Sequence, residues 1–233
     1  MAASASSVTK VQQLYVAYYG RAGDPAGVEF WASTLDANGG NVSEMINEFG
    51  ASDEYTNGIG QGSNTQQVTD LYQQMFNRAP ETAGLEFWVS EINSGARTLG
   101  EVAVAIAESA LSDDASTLAN KVTAAEYFTE QISATGATYV AANISEAQAI
   151  IASVTSDSST VTSANSSSDT YMTNNASEAI FTLTAVLDSP VFISMDNENE
   201  LPGVFEYQQQ SDDVVEITGV VGIVNPLPTD GFN

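Results

Sequence analysis

Thirty carboxylates and five basic side chains, with no cysteine and no histidine, narrow the chemistry open to this chain. No Ser-His-Asp or Cys-His nucleophile, ordinary structural zinc site or thiol-linked haem can be built from these residues. A bound metal would be a hard cation held by oxygens, and Ca2+ is the expected one. The densest acids are Asp196, Glu198 and Glu200, followed by Asp212 and Asp213, and these five are the candidate metal ligands. The segment 196–200 lacks the glycine spacing of an EF-hand, so a solvated acidic turn that discourages aggregation is the rival reading. Asp113-Asp114 reads as a solvated helix start in preference to a ligand pair. The enzyme that this composition favours is a hydrolase with paired carboxylates. A helical repeat with its acids on exposed faces offers such a hydrolase no cleft, so no catalytic residues and no enzyme are expected.

The other chemically suggestive residues are arginines. Arg21 and Arg78 occupy matching places in an internal repeat at an offset of 57: LYVAYYGRAGDPAGVEFW (14–31) and LYQQMFNRAPETAGLEFW (71–88) share nine of eighteen residues. Unrelated segments of this length share roughly one, so the stretch is duplicated. A guanidinium at this point organises an interhelix loop through carbonyls or an acid such as Glu29 or Glu86, or else takes a ligand anion or sugar. On the structural reading, either Arg→Ala change costs about 1–3 kcal/mol. The pairs Phe30-Trp31 and Phe87-Trp88 could stack on a sugar ring, but their helical spacing favours core packing.

The elements that position these residues are set by periodicity. Val11, Leu14, Tyr15 and Tyr18, like Val68, Leu71, Tyr72 and Met75, recur as the buried face of a helix. Gly20 suits a helix end, and Asp24 with Pro25 suits the start of the next helix. A third helix opens at Asn41 and Glu44, and its counterpart at Thr98 and Glu101, which form a capping box. Leu118, Val122, Ala125 and Ile132 mark a further helix, and Ser145 to Gln148 opens another that ends near Val154.

The expected organisation is therefore a helical domain over 1–154, with repeat copies at about 8–56 and 65–112 and additional helices. A Ser/Thr-rich linker at 155–175 then leads to a β-rich region at 176–233. Phe181, Leu183, Ala185 and Leu187 alternate with Thr182, Thr184 and Val186, and Val191 to Ile193, Val204 to Tyr207 and Val214 to Val224 are strand candidates. The fold class is α+β: an all-α repeat domain and, after it, a small, mainly antiparallel β region.

A net charge of −25 repels phosphate backbones and anionic lipid, so nucleic acid is not an expected partner. No long apolar run predicts membrane insertion, and the first residues lack the pattern of a cleavable signal peptide. The pattern LY…YGRAGDPAGVEFW, with the Ser-Asp-Glu-Tyr end at 52–55 and the stretches 118–129 and 145–161, resembles a domain of unknown function. That domain recurs in surface-layer, haemolysin-type and other type I-secreted bacterial proteins. The resemblance spans about residues 8–162 and implies export without an N-terminal signal and residence at the cell surface. It also implies contact with lipopolysaccharide or another glycan, with calcium. The chain departs from the wider pattern in having no glycine-aspartate nonapeptide repeats, so a calcium-driven β-roll is not expected. The functional expectation is a secreted structural protein that self-assembles as a surface-layer, sheath or filament subunit. The alternative is an adhesin or glycan-binding module without ordered assembly. The type I export signal is expected at the C-terminus, in a segment that ends at residues 230–233.

Overall fold

In the computed structural model, Ser4 starts the first helix by accepting the amide of Ser7, and Gly20 ends it in the left-handed conformation that glycine adopts at least cost. The structure describes residues 3–176 and three short segments beyond them. Helix α1 (Ala5–Tyr19) is succeeded by α2 (Pro25–Ala37), α3 (Ser43–Ala51) and the five-residue α4 (Asp53–Asn57). The second copy repeats this path as α5 (Asn64–Phe76), α6 (Thr82–Asn93) and α7 (Leu99–Glu108). The chain then runs through α8 (Ser112–Thr135), α9 (Ile144–Ala152) and α10 (Ser159–Asn174).

The signals at α2 and α7 act as expected, whereas α3 opens at Ser43 and α9 at Ile144 without side-chain caps. Asp24 caps α2 by accepting the Gly27 amide at 2.8 Å, with Pro25 in the first turn. Thr98 and Glu101 form the reciprocal capping box of α7. Asn77 occupies the place of Gly20 in the second copy and takes the same left-handed conformation, with φ of 59° against 65°. The copies thus end their first helices alike, with the two residue types that tolerate this geometry.

One core runs through the helical unit. In the first copy, Phe49 of α3 meets Tyr15, Tyr18 and Tyr19 of α1 and Trp31 of α2, with ring centroids 4.8–6.1 Å apart. Helix α8 packs against α1, α2 and α5 and so braces both copies. Gly100 in α7 faces the Tyr18 hydroxyl and Ile46 so closely that a Cβ there would collide with them, which explains a glycine inside a helix despite its entropic cost.

Two expectations are corrected. The stretch 155–175 is not a linker: most of it is α10, which packs on α8 and α9. Ala164, Ser168, Tyr171 and Met172 are buried, and hydroxyls that would oppose a helix donate instead to carbonyls one turn back, as Ser168 does to Ala164 at 2.9 Å. The helical unit consequently ends at Asn175, not Val154.

The α+β class is also overturned. The described body is helical throughout, with no strand and no sheet among residues 3–176. Beyond it only Phe192–Met195, Phe205–Gln208 and Val214–Ile217 are described, as strands of four residues each. Apolar alternation identifies strand-compatible segments without fixing how many of them form a sheet. The body over residues 3–176 is all-α.

Candidate functional site

The repeated arginines are explained by how each copy closes. Arg21 sits in the loop between α1 and α2, where its Nε and Nη2 donate to the two carboxylate oxygens of Glu54 at 2.7 and 2.6 Å. Its Nη1 donates to the Ala22 carbonyl at 2.8 Å and to the Tyr139 hydroxyl at 3.2 Å. The guanidinium lies within 5.3–5.4 Å of the ring centroids of Tyr15, Tyr19 and Tyr139. Burial is the largest influence and opposes its charge, but the Glu54 hydrogen bonds together with the charge of Glu54 and the contacts of Tyr139 outweigh it and hold its pKa above the ordinary arginine value.

Arg78 repeats the arrangement. It donates to both oxygens of Asp114 at 2.8 and 2.6 Å and to the Ala79 carbonyl at 2.9 Å, and it lies 5.5 Å from the Tyr72 ring. Glu81 adds a third oxygen at 2.8 Å. The Asp114 hydrogen bonds likewise raise the Arg78 pKa. Of the two readings of these arginines, the geometry matches loop organisation through carbonyls and an acid. The acids differ from those expected, being Glu54 and Asp114 instead of Glu29 and Glu86. A signal for them was present: Ser52-Asp53-Glu54 and Ser112-Asp113-Asp114 are a further pair of matching segments, displaced by 60 residues instead of 57. Asp114 is thus an ion-pair partner in the first turn of α8.

The aromatic pairs divide between core and surface. Trp31 and Trp88 are partly buried against the core, and Trp88 Nε1 donates to the Tyr72 hydroxyl at 3.3 Å. Phe30 and Phe87 point outward and are 60% and 52% exposed. Core packing therefore accounts for the tryptophans and not for the phenylalanines.

A depression of about 350 Å³ is lined by the ends of α1 and α5 and by residues of α8 and α9, among them Tyr19, Gly20, Gln74, Asn77, Lys121 and Gln148. The Lys121 ammonium donates at 2.6 Å to both the Gln74 carbonyl and Asn77 Oδ1. It thereby caps the C-terminal end of α5, where a positive charge meets the negative end of the helix dipole. Lys121 is 1% exposed, and burial lowers its pKa to about 8.

The candidate calcium ligands Asp196, Glu198, Glu200, Asp212 and Asp213 lie outside the described residues. Among the described residues, no group of three or more carboxylates is placed to hold a metal ion. No described helix is long and apolar enough to cross a membrane.

Comparison with known proteins gives one match. A DUF4214 domain, a domain of unknown function, is found at residues 46–112. The match starts within α3, passes through α4 to α7 and ends at the first residue of α8. It joins the end of the first copy to the whole of the second. Nothing in it concerns surface layers or secretion. No curated protein and no solved structure matches the chain.

Proposed function

We propose that the protein is a secreted, non-enzymatic structural component of the cell surface that self-assembles as a surface-layer, sheath or filament subunit, with calcium as the bridging ion. The observation that carries this reading is the duplication. Two copies of one helical unit share a core, as suits a body that makes repeated contacts. The resemblance of residues 8–162 to the repeats of surface-layer and type I-secreted proteins supports the location. Charge supports the ion: copies at −25 each repel one another over the 8–10 Å that physiological salt leaves unscreened, and a divalent cation offsets that repulsion. The second reading, an adhesin that binds lipopolysaccharide or another glycan without ordered assembly, draws on the same resemblance.

Electron microscopy of the purified chain with and without calcium tests the proposal. Ordered sheets or filaments that form with calcium and dissolve on chelation are expected. Monodisperse particles at every calcium concentration would overturn self-assembly and favour the adhesin.

A further inference from the structure

Duplication lets one part of the chain be compared with another, and the outer faces of the two copies have not diverged evenly. On the first helices, exposed Thr9 corresponds to Gln66, and Lys10 and Gln13 correspond to Gln67 and Asp70. On the third helices, exposed Asn47 and Glu48 correspond to Val104 and Ala105. Exposed Glu44 is kept there as Glu101, and on the second helices exposed Asp36 corresponds to Asn93, but one stripe of the second helices is kept whole. Ala26, Glu29, Phe30 and Ser33 form one outward stripe on α2 at i, i+3, i+4 and i+7, and all four are exposed. Their counterparts on α6 are Ala83, Glu86, Phe87 and Ser90, identical at every position and also exposed.

Core packing explains identity at buried positions, but it gives no reason to keep an exposed phenylalanine twice. Each ring is held in place, packed edge-on against the adjacent tryptophan with centroids 4.9 Å apart in the first copy and 4.7 Å in the second. The small residue one turn earlier leaves the region over which the ring leans uncovered. A carboxylate precedes each ring on the adjoining ridge.

The same pair of groups recurs inside the molecule, there with a cation. Arg21 lies against Tyr15 and pairs with Glu54; Arg78 lies against Tyr72 and pairs with Asp114. Arg97 lies 5.9 Å from the Trp88 centroid and pairs with Glu91 at 3.2 Å. We infer that the α2 and α6 stripes are two equivalent docking sites for an arginine-bearing basic segment of another protein. In each, the guanidinium stacks on Phe30 or Phe87 and the adjacent Glu29 or Glu86 receives its N–H donors.

Charge complementarity selects this occupant. An anionic partner is repelled by the net charge of −25. A second copy has no basic side chain to spare: Lys10, Arg21, Arg78 and Arg97 are in ion pairs, and Lys121 is buried against α5. The inference goes beyond the proposed function and does not depend on it.

The test is an NMR titration of the full chain, labelled on phenylalanine rings, with the blocked peptide acetyl-Gly-Arg-Gly-Arg-Gly-amide. The Phe30 and Phe87 ring signals should shift in parallel, and Phe30→Ala should remove its own response while leaving that of Phe87. Joint Glu29→Gln and Glu86→Gln substitution should weaken binding about fivefold, and replacing both arginines of the peptide with lysine should weaken it too. All four substituted positions are exposed, so the variants leave the core intact. Peptide binding that leaves the rings unmoved, or that survives Phe30→Ala with Phe87→Ala, would reduce the effect to diffuse attraction by the acidic surface and overturn the inference. Ring shifts with maltohexaose at lower concentration than with the peptide would assign the stripes to a glycan. Ring shifts on concentrating the protein alone would assign them to a second copy.

Discussion

Although Arg21 and Arg78 make matching hydrogen bonds, their removal should not cost the same. Arg21 is 7% exposed, and its side chain is paired with a Glu54 side chain that is 30% exposed. Removing one partner of a buried pair costs about 3–5 kcal/mol, and water reaching Glu54 places this pair near the lower end. Losing a buried guanidinium from between three tyrosine rings adds about 1 kcal/mol. Arg21→Ala should therefore destabilise the protein by about 4 kcal/mol. The Arg78 side chain is 37% exposed, and solvent screening reduces its ion pairs to about 1–2 kcal/mol in total. Urea unfolding of the full chain, monitored by tryptophan fluorescence, measures both. A control, Arg21→Met, keeps most of the stem's packing and should recover less than half of the loss. A double-mutant cycle of Arg21→Ala with Glu54→Ala should give a coupling of about 2 kcal/mol. Equal losses at the two arginines, or a coupling near zero, would refute the claim that burial sets the strength of these pairs.

Three further outcomes are expected. Since burial lowers Lys121 to about 8, the unfolded chain holds a proton between about pH 8 and 10.5 that the folded chain has released. Stability should thus rise by up to about 3 kcal/mol across that window, with the penalty complete below pH 8. Urea midpoints from pH 7 to 9.5 should climb in the parent and stay flat in Lys121→Met, whereas an equal climb in both would discount the lysine. Asp36 accepts the Ser4 amide and the Ser4 and Ser7 hydroxyls, each at 2.6 Å, and these bonds depress its pKa. The clamp should hold above the ordinary Asp pKa and open as pH falls through the lowered folded value; amide exchange at residues 4–8 should accelerate then, and Asp36→Asn should show faster exchange already at neutral pH. Tyr171 is fully buried and donates to the Thr138 carbonyl at 3.0 Å, so Tyr171→Ala should cost about 3–5 kcal/mol; an unchanged melting temperature would return 155–175 to the status of a linker.

Much of the body was legible because duplication and helical periodicity reinforce each other. Gly20, Asp24-Pro25 and Thr98 with Glu101 mark helix ends through local chemistry, which tertiary packing did not override. The partners of the arginines were obscured by a shift in spacing: a comparison held at 57 residues passes over the second acid, whereas one anchored on Ser-Asp finds it at 60. Helix α10 was hidden by composition. Serine and threonine count against a helix in a propensity sum, yet Ala164, Ser168, Tyr171 and Met172 fall at i, i+4, i+7 and i+8, a pattern that spacing alone would have revealed. The outward direction of Phe30 and Phe87 was not legible, because an apolar residue next to a buried tryptophan looks like core until the helix is placed against its neighbours.

The arginine clasps carry an implication for how such a chain grows. Each joins the loop after a copy's first helix to an acid further along the chain, 33 residues on in one and 36 in the other; Glu54 lies at the end of the first copy, Asp114 just past the second, and Arg21 also takes Tyr139 from beyond both. The chain past the fastening is free to change. In the first copy the acid falls in a helix of five residues, and in the second its equivalent falls in a helix of 24. A short spacer in one copy and a long brace after the other thus begin at the same point of the unit. Lineages that gain or lose whole copies, or exchange the helices attached to them, should break and rejoin the chain just beyond these acids.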